Sequence, residues 1–253
     1  MTELLTSPEF IWSWMGLAGA VLVVLLFISA PYGRHLRTGW GPMIPARLGW
    51  VLMELPALVI PPICFIIGDR WTDPVAQIFL FLWLFHYIYR TLVYPFLIRA
   101  RGKPVPVFVV GLGAVFNTVN GAVQGAFLFL GTPPHTTGWF TDGRFGLGLC
   151  LFLVGFFIHF RSDAILRRLR WTENAAYRIP HGLLYRWVSQ PNYLGEMLQW
   201  VGWAALTWSL AGASFAVWTI ANLLPRALSN HRWYQEQFED YPEKRRAVLP
   251  YLL

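Results

Sequence analysis

Seven apolar stretches alternate with short polar and basic segments along the chain. We predict a membrane-spanning helix in each, because long apolar runs of about 18 or more residues are typical of helices that cross a bilayer. The predicted spans are 9–31, 48–68, 74–98, 105–131, 144–161, 193–210 and 212–232. The pattern therefore predicts an all-α, polytopic membrane protein that forms a single integral membrane domain over residues 1–253.

The positive charges lie on one side of this predicted topology. If the first loop is cytoplasmic, only Arg70 and Arg144 of the 20 Lys and Arg residues fall on the opposite side, and Arg90 falls inside a span. Because Lys and Arg concentrate in cytoplasmic loops, we predict that the N-terminus is outside and the C-terminus is cytoplasmic. The basic face also suits anionic lipid headgroups.

The composition supports a lipid bilayer as the main partner. The chain is 56% hydrophobic and 13% charged, with a mean hydropathy of +0.45, whereas soluble domains carry about 25% charged residues. Nucleic-acid binding is excluded, since it would need the basic face on a soluble module. Residues 9–30 are too long for a secretory signal and lack a small-residue cleavage site. We expect a multi-pass protein of the bacterial inner membrane, or of the ER membrane if the source is eukaryotic.

Two spans contain charged side chains, which are costly at membrane depth and therefore suggest function. Glu54 lies in the run "VLMELPALVIPP" of the second span. The third span contains "LFHYIYRTLVYP", whose His86, Tyr87, Arg90 and Tyr94 are spaced to share one helical face. That face must meet a partner other than lipid, and Glu54 is a candidate. Two interpretations stay open: a structural ion pair between Glu54 and Arg90, or a functional site.

The fourth span carries three amide side chains in "FNTVNGAVQGAF". Asn117, Asn120 and Gln124 have the helical spacing i, i+3, i+7. Amides often hold membrane helices together, aided by small residues such as Gly121 and Gly125. We favour this role for all three amides, with ligand contact as the alternative.

Polar stripes recur on the predicted cytoplasmic side. Their members are Asp163, Arg167 and Arg170; Asn192, Glu196 and Gln199; and Arg226, Asn230 and Tyr234, with His231 beside the third stripe. Arginine forks onto phosphate oxygens, so the stripes suit a phosphate-rich soluble cofactor or a lipid headgroup. No glycine-rich nucleotide motif follows a strand, and no His/Cys spacing resembles a metal site. We predict a cytoplasmic nucleotide-binding lobe of loops and short helices from residues 161–192 and 232–253.

Several segments together resemble the steroid 5-alpha-reductase family. In the C-terminal half these are "RIPHGLLYRWVSQPNYLGE" and "FEDYP", and in the N-terminal half they are "MELPA" and "HYIYRT". The resemblance covers roughly residues 45–253. It implies a seven-helix membrane enzyme that uses NADPH to reduce a carbon–carbon double bond conjugated to a ketone, typically the delta-4 bond of a 3-oxo-steroid.

The resemblance also implies roles for individual residues. Glu54 and Tyr87 match the family's catalytic carboxyl and phenol. The positions that match cofactor contacts are Asp163, Arg167, Arg170, Arg178, Asn192, Glu196, Arg226, His231, Tyr234 and Arg245. Trp50 and Trp200 match residues that line the substrate pocket, with Met53 beside them. Met53 stands where the family usually has Gln, and His159 stands where it usually has Asn.

The implied reaction sets a chemical requirement. Hydride addition to the beta carbon of an enone drives negative charge onto the ketone oxygen, so hydrogen-bond donors must point at that oxygen in a dry site. Our hypothesis is that Tyr87 and a protonated Glu54 are those donors while NADPH delivers the hydride; ketosteroid isomerase offers a precedent for a neutral acid in a steroid site.

Other functions remain open at this point. Sterol C14 reductases and polyprenol reductases would share the fold and the cofactor. An isoprenylcysteine methyltransferase would use S-adenosylmethionine, for which so many arginines would be excessive. A non-catalytic sterol- or lipid-binding protein would keep Glu54 and Arg90 as a structural pair only.

Overall fold

The computed structural model of the chain describes residues 1–97, 104–131, 133, 135–169 and 177–253. Over these residues the protein is built mainly from helices. The helices are α1 (Thr2–Thr6), α2 (Pro8–Phe27), α3 (Ala46–Ile67), α4 (Pro74–Ile88), α5 (Tyr94–Leu97), α6 (Val107–Gly125), α7 (Gly143–Leu169), α8 (Pro191–Thr207) and α9 (Leu210–Gln237). Two π-helical turns, Tyr89–Val93 and Ala126–Gly131, extend α4 into α5 and lengthen α6.

Five helical stretches are long and apolar enough to cross a membrane. They are Pro8–Phe27, Ala46–Ile67, Pro74–Leu97, Val107–Gly131 and Gly143–Leu169. They overlap the first five predicted spans, and the chain is an integral membrane protein. Helices α8 and α9 occupy the regions of the last two predicted spans but are not among these five. The count of seven spans therefore stays a prediction.

The predicted all-α fold holds for most of the described residues, with one small sheet that the sequence did not predict. Two three-residue strands, β1 (Met43–Pro45) and β2 (Pro104–Pro106), pair antiparallel with Ile44 opposite Val105. Each ends in a proline and immediately precedes a helix, α3 or α6. Proline fixes an extended backbone angle in such positions, but three residues are too few to show the alternating pattern of a strand. The pairing brings the starts of α3 and α6 together.

Helices α3 and α6 pack along a stripe of small residues. Gly113, Gly121 and Gly125 face α3, and a Cβ atom added at Gly125 would lie 2.7 Å from the sulfur of Cys64. Small residues let membrane helices approach closely, where dispersion and polar contacts replace the hydrophobic effect. The stripe fixes the face of α6 that meets Glu54 on α3.

Helices α7 and α8 approach even more closely through two pairs of glycines. Gly148 and Gly155 lie seven residues apart on α7, and so do Gly195 and Gly202 on α8. A Cβ atom at any of the four would collide with the backbone of the facing helix. The two backbones therefore touch, and the polar side chains beyond Gly155 are held at the same level as those that begin α8.

Helix α4 is fixed against α3 by a hydrogen bond that a proline makes available. Pro61 has no N–H group, so the carbonyl of Ala57 lacks its helical donor. The indole of Trp83 donates to that carbonyl at 2.8 Å. Since buried carbonyls are nearly always satisfied, this bond sets the register between α3 and α4.

The C-terminal segment closes one end of the bundle. Ser189 and Gln190, which precede α8, donate backbone hydrogen bonds to Arg246 and Ala247 at 2.8 and 3.0 Å, and Val188 pairs with Arg246 in an isolated parallel bridge. The two described parts of the predicted lobe thus contact each other where the chain enters α8. Its cytoplasmic location stays a prediction.

Candidate active site

Glu54 is buried between three helices and has two side-chain neighbours. Its Oε1 accepts a hydrogen bond from Arg90 Nη2 at 3.2 Å, and Asn117 Nδ2 lies 3.5 Å from its Oε2. The same Asn117 amide donates to the carbonyl of Met53 at 2.6 Å. The expected contact between Glu54 and Arg90 is therefore present, and Asn117 braces the turn of α3 that carries the carboxyl.

Arg90 lies in the π-helical turn between α4 and α5. Its guanidinium stacks on the rings of Trp50 and Tyr94, at 5.0 and 5.2 Å from the ring centroids. Single π-helical turns inside α-helices are frequent at functional sites. The aromatic rings and Glu54 together hold this cation in one place at the edge of the buried site.

Tyr87 is buried at the level of Glu54. The hydrogen bond from the Trp83 indole to the Ala57 carbonyl places Trp83 beside Ala57 on two antiparallel helices, α4 and α3. Glu54 is three residues from Ala57 and Tyr87 is four residues from Trp83, in the same direction along the bundle. Both residues therefore lie on the same side of this hydrogen bond, each about one helical turn from it. The Tyr87 ring packs 4.7 Å from Trp83 and 6.0 Å from Trp200, so its surroundings are aromatic and dry.

The prediction that His86, Tyr87, Arg90 and Tyr94 share one helical face stays a prediction. The His86 ring lies 6.3 Å from that of His159 on α7, whereas Arg90 donates its hydrogen bond to Glu54 on α3. A π-helical turn begins at residue 89, between these two residues. This stretch of helix therefore presents polar groups to two neighbouring helices.

A second buried cluster joins α7 to α8 around His159. The imidazole Nδ1 donates to the carbonyl of Asn192 at 3.2 Å and lies 3.5 Å from Glu196, while Nε2 lies 3.7 Å from Asp163. The Asn192 amide donates to Asp163 at 3.1 Å. Three residues that the sequence predicted for the cofactor therefore lie together. His159, noted in the sequence only as a departure from the family, is at their centre.

A third cluster links the start of α8 to α9. The hydroxyl of Ser189 lies 2.6 Å from both His231 Nδ1 and the phenol of Tyr241. The Tyr241 ring stacks on that of Tyr234 at 5.5 Å. Burial raises the pKa of the Tyr241 phenol, so its hydroxyl remains a donor at neutral pH. His231 and Tyr234, both predicted for the cofactor, lie in this network.

The segment between α2 and β1 docks on α9, which the sequence did not predict. The guanidinium of Arg34 lies 4.7 Å from the Trp233 ring and 4.6 Å from the Tyr234 ring. His35 Nε2 lies 3.0 Å from the side-chain oxygen of Asn230. Burial lowers the pKa of the His35 imidazole, and the hydrogen bond to Asn230 opposes that shift. The run of Arg and His in "YGRHLR" was the available signal.

Arg226 fixes the same segment from the other side. It donates to the carbonyls of Ala30 and Tyr32 at 3.3 and 3.1 Å, and its guanidinium lies 3.6 Å from the centroid of the Tyr32 ring. Arg245, which is buried, donates to the carbonyl of Pro180 at 3.3 Å. Both arginines are therefore oriented by the backbone of neighbouring segments.

Several buried polar atoms in these clusters have no hydrogen-bond partner within the described part of the chain. They are Arg34 Nη1, Ser162 Oγ, Asn192 Oδ1, Arg226 Nε and Arg245 Nε. Buried polar groups are usually satisfied, so each such atom calls for an explanation. Three of the five belong to guanidinium groups, whose N–H donors bind phosphate oxygens well. The residues present thus fit a phosphate-rich ligand.

The remaining predicted residues are distributed around these clusters. Arg167 donates to the hydroxyl of Tyr89 at 2.9 Å, which ties the end of α7 to the π-helical turn. Arg178 is exposed. The sulfur of Met53 packs against Gly113. Arg170 lies outside the described residues.

Comparison with known proteins bears on this arrangement. A family described as 3-oxo-5-alpha-steroid 4-dehydrogenase matches residues 103–253. The chain is 38% identical over 240 residues to the steroid 5-alpha-reductase DET2 of Solanum lycopersicum, covering 93% of each protein. It is 40% identical over 243 residues to 3-oxo-5-alpha-steroid 4-dehydrogenase 1 of Bos taurus, again covering 93% of each. With 3-oxo-5-alpha-steroid 4-dehydrogenase 2 of Homo sapiens it shares 40% identity over 248 residues, which cover 93% of this chain and 96% of the relative.

Proposed function

This chain belongs to the 3-oxo-5-alpha-steroid 4-dehydrogenase family of CH–CH oxidoreductases, and on that premise we propose that it reduces the C4–C5 double bond of 3-oxo-steroids with NADPH. One observation carries the proposal. Glu54 and Tyr87 are both buried in an aromatic interior, and the clusters described above hold three guanidinium groups that each keep a buried nitrogen without a partner in the described ranges.

The cofactor would be held by the clusters at the ends of α7, α8 and α9. Arg34, Arg226 and Arg245 have the chemistry for its phosphates. The amide and carboxyl groups of Asn192, Asp163 and Glu196 would bind its polar, uncharged parts. When bound, NADPH supplies the hydride that reduces the double bond. His159 keeps the two carboxyl groups in place, because it contacts both of them.

The ketone of the substrate would be bound by Tyr87 and Glu54. The phenol donates a hydrogen bond to the oxygen on which negative charge develops, and a preorganised donor of this kind typically contributes about 100- to 1000-fold in rate. Glu54 is the second donor when it carries its proton. The alpha carbon then takes a proton from solvent, which completes the saturated ketone.

Arg90 constrains this mechanism. An arginine at 3.2 Å pairs with a carboxylate, whereas a hydrogen bond from Glu54 to the ketone needs the protonated carboxyl. The proposal therefore requires that Arg90 releases Glu54 once the site is loaded. A purely structural ion pair would instead persist, and removing either partner would then unfold the protein, since a single buried charge is strongly destabilising.

We further propose that α8 and α9 are the sixth and seventh spans, with the N-terminus outside and the C-terminus cytoplasmic. The one-sided distribution of Lys and Arg supports this orientation, and it would place the donor-rich clusters where soluble NADPH is available. The same topology applies to a bacterial inner membrane and to the ER membrane. Labelling of single cysteines introduced near residues 142 and 240 from each side of sealed vesicles would test it.

The function itself is tested with detergent-purified protein, NADPH and an enone steroid such as progesterone. We expect the absorbance of the reduced nicotinamide to decay only when the enone is present. If NADPH binds but no enone oxidises it, the proposed substrate class is wrong, and a sterol C14 or polyprenol reductase is favoured instead. Binding of S-adenosylmethionine in place of NADPH would favour the methyltransferase, and binding of neither would favour a lipid-binding protein.

A further inference from the structure

The three amide side chains of α6 differ in the hydrogen bonds that they make in the folded protein. Asn117 donates to the Met53 carbonyl at 2.6 Å, and Gln124 donates to the carbonyl of Ala211 at 2.6 Å. Gln124 also accepts from the indole of Trp203 at 2.9 Å. Asn120 lies between these two amides and is fully buried, yet neither atom of its amide has a hydrogen-bond partner among the described residues.

Asn120 therefore does not hold helices together, which was the role predicted for all three amides. A buried amide without partners destabilises a fold, because it has lost its hydrogen bonds to water and gained none. Such groups in native proteins call for an explanation, and a polar group of a ligand is one. The position of Asn120 shows which ligand would reach it.

Asn120 belongs to a face of α6 that is lined with aromatic rings. It follows Phe116 by four residues, so the two side chains are neighbours on the helix. The Phe116 ring lies 6.1 Å from that of Trp14 on α2 and 5.1 Å from that of Trp218 on α9. The indole nitrogens of both tryptophans are buried and, like the amide, unpartnered in the part of the chain that the structure describes. One aromatic region thus contains three buried polar groups that make no hydrogen bond to the described residues.

This region is connected to the reaction centre by a continuous aromatic wall. The Tyr87 ring lies 6.0 Å from that of Trp200, which packs 4.1 Å from Phe215. The Phe215 ring in turn lies 6.3 Å from that of Phe116. Along α6, Asn120 is three residues, or about 4.5 Å, beyond the level of Asn117, which contacts Glu54. An elongated apolar molecule that is bound at Glu54 and lies along this wall would bring its far end to the region of Asn120.

We propose that Asn120, with the indole N–H groups of Trp14 and Trp218, forms a second polar subsite for an oxygen substituent at the end of the substrate opposite the enone. The amide can donate to a ketone and accept from a hydroxyl, whereas the indoles only donate. The subsite therefore favours enones with a distal ketone or hydroxyl over those that end in a hydrocarbon. The inference rests on the proposed function, which places the enone at Glu54 and Tyr87.

The test compares two steroid enones that differ only in the distal oxygen, 4-androstene-3,17-dione and 4-androsten-3-one. The Asn120→Leu variant removes the amide and keeps the branched shape and the number of side-chain heavy atoms. We expect its kcat/KM to fall on the order of 10-fold for the dione and to change less than about twofold for the mono-ketone. Its melting temperature should stay the same or rise, because an unpartnered buried amide is removed.

A matched control is available two residues away. Thr118 lies on the exposed side of α6 and donates a hydrogen bond from its hydroxyl to the carbonyl of Ala114. Thr118→Val should leave kcat/KM unchanged for both steroids. Trp218→Phe keeps an aromatic ring and removes one N–H group. It should lower kcat/KM for the dione alone, and by less than Asn120→Leu does. This variant also serves if Asn120→Leu fails to fold.

Equal losses on both steroids, or a lowered melting temperature with no change in substrate preference, would overturn the subsite and assign Asn120 a structural role. These outcomes leave the proposed function intact, because the wild-type protein still reduces both enones. Failure of the wild-type protein to reduce either steroid would contradict the proposed function itself and the subsite with it.

Discussion

Arginines at the two ends of the bundle are used in opposite ways. At the end that carries the α6–α7 connection, Arg144 donates two side-chain hydrogen bonds to Asp142, at 2.9 and 2.8 Å, and lies between the rings of Trp139 and Trp208. The Arg144 guanidinium lowers the pKa of the Asp142 carboxyl to about 2. Arg70 is likewise engaged, by the carbonyl of Phe129. These arginines hold loops together.

At the opposite end the arginines are also held in place, but each has an N–H group that makes no hydrogen bond to the described residues. Arg226 and Arg245 are oriented by backbone carbonyls, and Arg34 by aromatic rings, while each retains a buried nitrogen without a partner in the described ranges. Side chains that are already oriented bind a ligand with less loss of entropy. The number of arginines alone therefore does not identify a phosphate site; the N–H donors that remain unpartnered after folding do.

The largest expected effect separates chemistry from cofactor binding. Tyr87→Phe removes one proposed ketone donor and Glu54→Gln alters the other, so each should lower kcat about 100- to 1000-fold. Affinity for NADPH should stay within about threefold, because the donors of the basic end are untouched. Single-turnover kinetics and NADPH fluorescence titration measure the two quantities. A Glu54→Gln protein that folds and keeps more than about a third of wild-type turnover would remove Glu54 from the mechanism.

A smaller effect should distinguish the two sets of arginines directly. Arg226→Met should weaken NADPH binding on the order of 10- to 100-fold, since a charge-assisted hydrogen bond is worth about 1.5–3 kcal/mol. Arg144→Met should leave NADPH binding unchanged and lower the melting temperature by a few degrees at most. Isothermal titration and thermal unfolding of both variants provide the comparison. Equal effects of the two variants on NADPH affinity would show that the ends do not differ in function.

The smallest expected effect concerns the segment that docks beside Arg226. Burial lowers the pKa of His35 in the folded protein below its ordinary value of 6.5, so the unfolded chain binds more protons in acid. The stabilisation from neutral His35 is therefore present above pH 6.5 and is lost as the pH falls below it. His35→Gln, which can still bond to Asn230, should flatten the fall in melting temperature between pH 7 and 5. An unchanged pH profile would show that His35 does not contribute.

Much of this arrangement could be predicted from the sequence, because apolar runs report helices of membrane length. The pairing of Glu54 with Arg90 followed from the rule that a buried charge needs a partner. The π-helical turn after residue 88 could not be predicted, since it depends on packing rather than on residue type. Nor could the centre of the second cluster, His159, because two of its three partners, Asn192 and Glu196, come from α8, which only the glycine contacts bring close to α7.

The amides of α6 show the limit most clearly. Asn117 falls in the i, i+4 series of Gly113, Gly121 and Gly125, the stripe that packs on α3, and that series could have identified it as the neighbour of Glu54. Asn120 lies off the stripe, about 4.5 Å further along the helix, and its amide has no partner among the residues that the structure describes. Spacing within a helix predicts which side chains share a face, but not whether the facing surface offers a hydrogen bond.

The most direct test of the central claim is to follow the hydride. Purified protein in lipid nanodiscs would be given NADPH deuterated at the transferred position of the nicotinamide and a 3-oxo-4-ene steroid, with the product analysed by mass spectrometry and NMR. We expect one deuterium at C5 of the saturated ketone. Tyr87→Phe should form the same deuterated product, but only in the small amount that its residual turnover allows. A steroid recovered without deuterium, or with deuterium at any other carbon, would contradict the central claim.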